Sequence, residues 1–187
     1  MRSFLAGFIT AILIALSAGF CFIRFGFIDP RADARVSTFE SKIAMPSLDA
    51  AVDRRAPKIS PPLPASEDNL MAGMEIYQSS CASCHGDARH PHSALANAFY
   101  PRVPQFTEDP PDMPENQNFY IIQHGIRLSG MPGWRHLLDD RSIWQVTLFL
   151  SHMDKLSPQI LNSWRATAAG SFHEKTPSPE LSNDMKK

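Results

Sequence analysis

The sequence predicts an all-α protein: one N-terminal transmembrane helix, then a small domain of about three to four helices. Three patterns predict it. Ser3 to Ile23 runs 21 residues without a charge. Leu70, Met74, Tyr77 and Cys81 recur at helical spacing, as does an apolar set from Ile143 to Met153. Strand signal is too sparse to build a sheet, because Pro interrupts most of the stretch between those two segments.

Residues 1–28 are expected to be the anchor, since about 20 apolar residues in a helix span a bilayer core. A cleaved signal sequence is the rival, with "ALSA" at 15 to 18 as its weak cleavage point. The run continues past that point through "GFCFI", which favours an uncleaved helix. Bulky Phe20 argues against Cys21 as a lipidated cysteine. Residues 29–66 hold no sustained apolar period and end in "RRAPKISPPLPAS", so they read as a Pro-rich tether. Residues 67–157 form the expected domain. Its first helix runs from Asp68 to Ser80, capped by Ser66 or Asp68. A long Pro-rich loop follows, then a helix from Gln117 to His124 that Gly125 stops. The last helix starts at Asp139 or Asp140, and Pro158 lies past its end. Residues 158–187 are polar and read as a disordered tail.

Composition narrows the function. The chain has 187 residues, is 43% hydrophobic and carries a net charge of −1. It has no basic run to track phosphates, which argues against nucleic acid as a partner. Three cysteines are too few for a disulfide framework. Charge is uneven: Glu67 to Ser157 holds eleven acidic and six basic residues, a net of −5. A transient partner of that segment is expected to be basic where they meet.

The chemistry lies in "YQSSCASCHGD", residues 77 to 87. Cys81, Cys84 and His85 spell C-x-x-C-H, the attachment signature of c-type haem. At a helix end, positions i and i+3 project to one side. Both thiols then reach the vinyl groups at one porphyrin edge, and His85 turns onto the iron. A thioredoxin-like pair needs a βαβ context that is absent here. A zinc site lacks a further cysteine, although His90 and His92 are near. Two merely structural cysteines leave the histidine unexplained.

A haem iron devoted to electron transfer takes a sixth ligand. Met131 is the leading choice, in the tight loop "SGMPGW". Gly130 and Gly133 let backbone approach the porphyrin, and Pro132 stiffens the loop. Met113 is the weaker methionine alternative and His124 the histidine one.

These residues resemble a class I, monohaem cytochrome c, of the type found in membrane-anchored bacterial cytochromes and in cytochrome subunits of respiratory oxidases. The likeness covers about Leu70 to Leu156. Gly73, Tyr77 and Cys81 repeat the family's first-helix spacing, and Val146 and Phe149 match contact positions of its last helix. The resemblance implies that these helices cross at Gly73. It also implies a proline carbonyl accepting the axial histidine's second N–H, from Pro101 or Pro104. Arg102 is a candidate for a haem propionate, and Trp134 for the haem edge or for plain packing.

The expected function is one-electron transfer through a single covalent haem c, with His85 and Met131 as axial ligands and no enzyme activity or small-molecule substrate. The partners are redox proteins of a respiratory chain. Two alternatives stay open: a fixed haem subunit of an oxidase or dehydrogenase, and a haem peroxidase or gas sensor if Met131 does not ligate stably. The resemblance places the haem domain in the periplasm of a bacterium, on the inner membrane or soluble after signal cleavage. The arginine count around the apolar run points the other way.

Overall fold

A computed structural model describes residues 2–27, 29–34 and 37–167. Among them, regular structure is helical throughout. The chain divides into two compact units, Met1–Ala34 and Arg35–Lys187.

The first unit contains α1, Arg2–Arg24. Its 23 residues make a helix about 34 Å long at 1.5 Å per residue. That is long and apolar enough to cross a membrane, and a signal sequence shares both properties.

The second unit contains α2 (Thr38–Arg55), α3 (Glu67–Ser80), α4 (Ala82–His85), α5 (Glu115–His124), α6 (Asp140–Ser151) and α7 (Pro158–Thr167). Side chains cap three of these starts. The hydroxyls of Ser37 and Ser66 accept from the amides of Glu40 and Asn69, and the Asp139 carboxylate accepts from Ser142.

The centre is the crossing of α3 and α6. A Cβ placed on Gly73 would lie 2.1 Å from the Gln145 carbonyl oxygen and 2.9 Å from Phe149 Cβ. Only glycine lets these backbones approach so closely. Around the crossing, Met74, Tyr77, Ile143, Val146 and Phe149 are fully enclosed. Tyr77 and Phe149 tilt together with ring centroids 5.4 Å apart. α5 joins through Phe119, which stacks on Trp144 at 4.2 Å.

Two segments differ from the sequence expectation. Residues 38–55 of the expected tether are helical. α2 packs on α5, burying Val52 and Ala56. Gln117 donates to Asp53 at 3.2 Å, and Asn116 donates to the Pro57 carbonyl at 2.9 Å. Residues 56–66 lack a helix, as a proline-rich strap should, and so do the described residues 29–34 and 37.

The expected disordered tail likewise begins with a helix. α7 lays Ile160 and Trp164 into the core. The Trp164 ring meets Phe149 and Tyr77 edge-on, and its N–H donates to Gln78 at 3.0 Å. Residues 168–187 lie outside the described part of the chain.

Candidate functional site

The site grows from the end of α3. Cys81 closes that helix with its amide on the Tyr77 carbonyl at 2.8 Å. The amides of Cys84 and His85 both donate to the Cys81 carbonyl at 3.0 Å, which winds α4 into one tight turn. The thiols stand three residues apart on that turn, on one side. Both are free. Burial, and next the neighbouring Cys84, push the Cys81 thiol up to about 12. A redox-active C-x-x-C pair needs the opposite, a thiol shifted down toward neutrality. The Cys81 thiol is therefore held in its neutral form, unlike the nucleophile of such a pair.

His85 is held at one nitrogen. Its Nδ1 lies 2.9 Å from the Pro104 carbonyl. A carbonyl only accepts, so Nδ1 carries the proton and Nε2 keeps its lone pair. Burial pulls the imidazole below its ordinary range, against a smaller opposing push from the Pro104 carbonyl. The neutral ring is the ligating form. Of the two prolines open on sequence grounds, Pro104 makes this bond. Pro101 is exposed.

Gln105 fixes the Pro104 segment against α4. Its amide donates to the carbonyls of Cys84 at 3.1 Å and Val103 at 2.9 Å, while its oxygen accepts from Ser93 at 2.7 Å. The Ser93 hydroxyl in turn donates to the Ser83 carbonyl. Phe106 donates its amide to the His85 carbonyl at 3.2 Å and stacks on the imidazole at 4.2 Å. Beneath, the Tyr77 hydroxyl donates to the Gly86 carbonyl at 2.8 Å. Sequence reasoning did not single out Ser93, Gln105 or Phe106 for the site. A polar residue directly after the proline was the available signal for Gln105.

Met131 is placed by its loop. Gly125 ends α5 with φ +70°, and a Cβ there would meet the Met131 carbonyl at 2.6 Å. The Ile126 amide donates to that carbonyl at 3.1 Å, and the Met131 amide donates to the Ser129 hydroxyl at 3.1 Å. The side chain is partly buried against the core. The Phe99 ring lies over Gly130. Of the two alternatives, Met113 offers its backbone carbonyl to the Asn118 side chain at 2.9 Å, and His124 is exposed beside Tyr120.

Arg102 and Trp134 are the remaining candidates. Arg102 is exposed and donates to the Asn97 side chain. Trp134 packs against the core with its indole N–H covered by protein and no acceptor among the described residues.

A c-type haem needs two thiols on one side of a turn and an imidazole with a free nitrogen. Cys81, Cys84 and His85 supply that donor set, and His85 is already turned by its second nitrogen. The residues fit the group.

Comparison with known proteins agrees. Residues 68–150 match the family described as cytochrome C oxidase, cbb3-type, subunit III. No curated protein matches the chain. A solved structure of the Kuenenia stuttgartiensis reducing HAO-like protein complex Kustc0457/Kustc0458 is similar at 21% identity and a TM-score of 0.41. The similarity covers 62% of this chain and 60% of that one, so this chain spans about three fifths of its relative. The attachment turn, the oriented histidine and this match over 83 of the 187 residues agree: residues 68–150 are similar to the cytochrome c family.

Proposed function

We propose that the protein is a one-electron carrier holding one haem c through thioethers to Cys81 and Cys84, with His85 and Met131 as axial ligands. The observation that carries this reading is the His85–Pro104 hydrogen bond at 2.9 Å beside two free thiols. It orients one neutral nitrogen for a metal without spending it on the protein. The haem supplies a one-electron couple. The chain keeps the histidine tautomer fixed, offers a thioether sulfur from a braced loop, and excludes water with the α3–α6 core. His/Met ligation raises the potential relative to two histidines and leaves no position for a substrate. The protein is then not an enzyme.

In this reading α1 anchors the chain in a bacterial inner membrane, and the haem domain works in the periplasm. Its acidic surface suits redox partners that are basic where they dock. The anchor raises the local concentration of the domain near membrane partners. The family description favours one variant of this role, a haem subunit fixed in an oxidase complex. Mild detergent extraction separates the two, since a fixed subunit stays with its complex.

Carbon monoxide tests the carrier reading. The ferrous protein is expected to leave its Soret spectrum unchanged under carbon monoxide at neutral pH. Rapid carbon monoxide binding by the native protein overturns it and favours the peroxidase or gas-sensor alternative.

A further inference from the structure

α2 has two apolar sides. On one, Val52 and Ala56 are buried against the domain and Leu48 is half-buried. On the other, Phe39, Ile43, Pro46 and Ala50 follow one another at steps of three and four residues, which places them on one helix face. All four are exposed, Phe39 at 75% and Ile43 at 52%. Two groups tie the helix to the domain: Glu40, whose carboxylate hydrogen-bonds the Tyr100 hydroxyl and holds that phenol above its ordinary range, and Asp53, which lies one turn past Ala50 at the end of the outer series and accepts from Gln117. The helix therefore cannot roll to hide the outer stripe without giving up its place on the domain.

We infer that this outer face of α2 lies on the surface of the bilayer, its phenylalanine and isoleucine entering the headgroup–acyl boundary. The inference rests on the reading of α1 as an anchor. Three arguments favour lipid over protein. The 13 residues between Arg24 and Thr38 reach at most about 45–50 Å when extended, which bounds how far α2 can stray from the membrane an anchoring α1 would occupy. The stripe amounts to a few hundred Å², on the order of half or less of the roughly 800 Å² per partner in a stable protein interface. A patch that small is sufficient for lipid when a second signal already anchors the chain. Lys42 and Arg54 flank the stripe on its two sides, where their stems can lie along the membrane; Asp49 and Asp53 share the Lys42 flank, so the apolar residues and not charge carry the contact. The consequence is functional: a helix that grips the domain on one side and lipid on the other fixes how the haem domain is presented to its membrane partners.

The test uses the full-length, haem-loaded protein with Cys21→Ser, in nanodiscs of phosphatidylethanolamine and phosphatidylglycerol. Single nitroxide labels are placed at Leu13→Cys, Ile43→Cys and Asp112→Cys. Electron paramagnetic resonance then compares relaxation by oxygen, which concentrates in lipid, with relaxation by a water-soluble nickel chelate. The Leu13 and Ile43 positions are expected to favour oxygen and the Asp112 position nickel. Adding Phe39→Asp is expected to move the Ile43 label toward nickel. Nickel access at Ile43 with oxygen access at Leu13 overturns the inference and leaves the anchor standing. Nickel access at both overturns the anchor reading, and this inference with it. Spin–spin coupling between Ile43 labels of two copies overturns it in favour of self-association.

Discussion

Gly73→Ala probes the crossing that builds the domain. The added methyl would sit 2.1 Å from the Gln145 carbonyl oxygen, and its other near neighbours are backbone and Phe149 Cβ. None is the free end of a flexible side chain. To bring the closest contact to even 3.0 Å, the helices must separate by about 0.9 Å. A gap of that size forfeits roughly a quarter to a half of the dispersion well across each separated atom pair. Overpacking typically costs about 1–3 kcal/mol, and a backbone obstacle at a helix crossing belongs at the upper end. The expected loss is about 3 kcal/mol. For a domain near 100 residues that lowers Tm by roughly 12–24 °C. Thermal melts followed by far-ultraviolet circular dichroism and by the Soret band measure it. Gly19→Ala in α1 is the control, since nothing lies within 4 Å of its Cβ. A loss under about 0.5 kcal/mol for Gly73→Ala would refute the close approach of α3 and α6.

Three further outcomes follow from the same structure. Gln105→Ala strands the groups it joins and is expected to cost about 1–3 kcal/mol in urea denaturation, with the His85–Pro104 bond loosened in step. Removing α7 by ending the chain after Ser157, or Trp164→Ala alone, is expected to cost about 3–5 kcal/mol, whereas a dispensable tail would cost nothing measurable. The Asp139 carboxyl is held below its ordinary range by the Ser142 amide and hydroxyl it accepts from, so its folded pKa is lower than its unfolded one. Its contribution is present above the unfolded value of about 3.9 and fades as pH falls through the folded value. Asp139→Ala should lower Tm at pH 7 and differ less from the wild type below about pH 4, as calorimetry across pH would show.

Much of this architecture was legible in the sequence. The all-helical class followed from periodicity, and the family resemblance carried by Gly73, Tyr77 and Cys81 implied the α3–α6 crossing. The attachment turn carries its own signature because both thiols and the imidazole must share one side of one turn. Other features leave weaker marks. α2 escaped because its apolar residues are split between two faces, which cancels any one-sided period, and because Pro46 reads as a breaker. α7 left a signal in the apolar pair Ile160 and Trp164, one turn apart, but the polar residues around them masked it. Spacing could not choose between Pro101 and Pro104, because that choice depends on how a long loop folds back. Gln105 left only the faint mark of a polar residue after a proline, because its three hydrogen bonds join segments that only the folded loop brings together.

The account stands or falls on the sulfur of Met131. The ferric protein is expected to show the weak methionine–iron charge-transfer absorption of a His/Met haem, lost in Met131→Ala while the covalently held Soret chromophore remains. Persistence of that band in Met131→Ala, or its absence from the wild type at neutral pH, would contradict it.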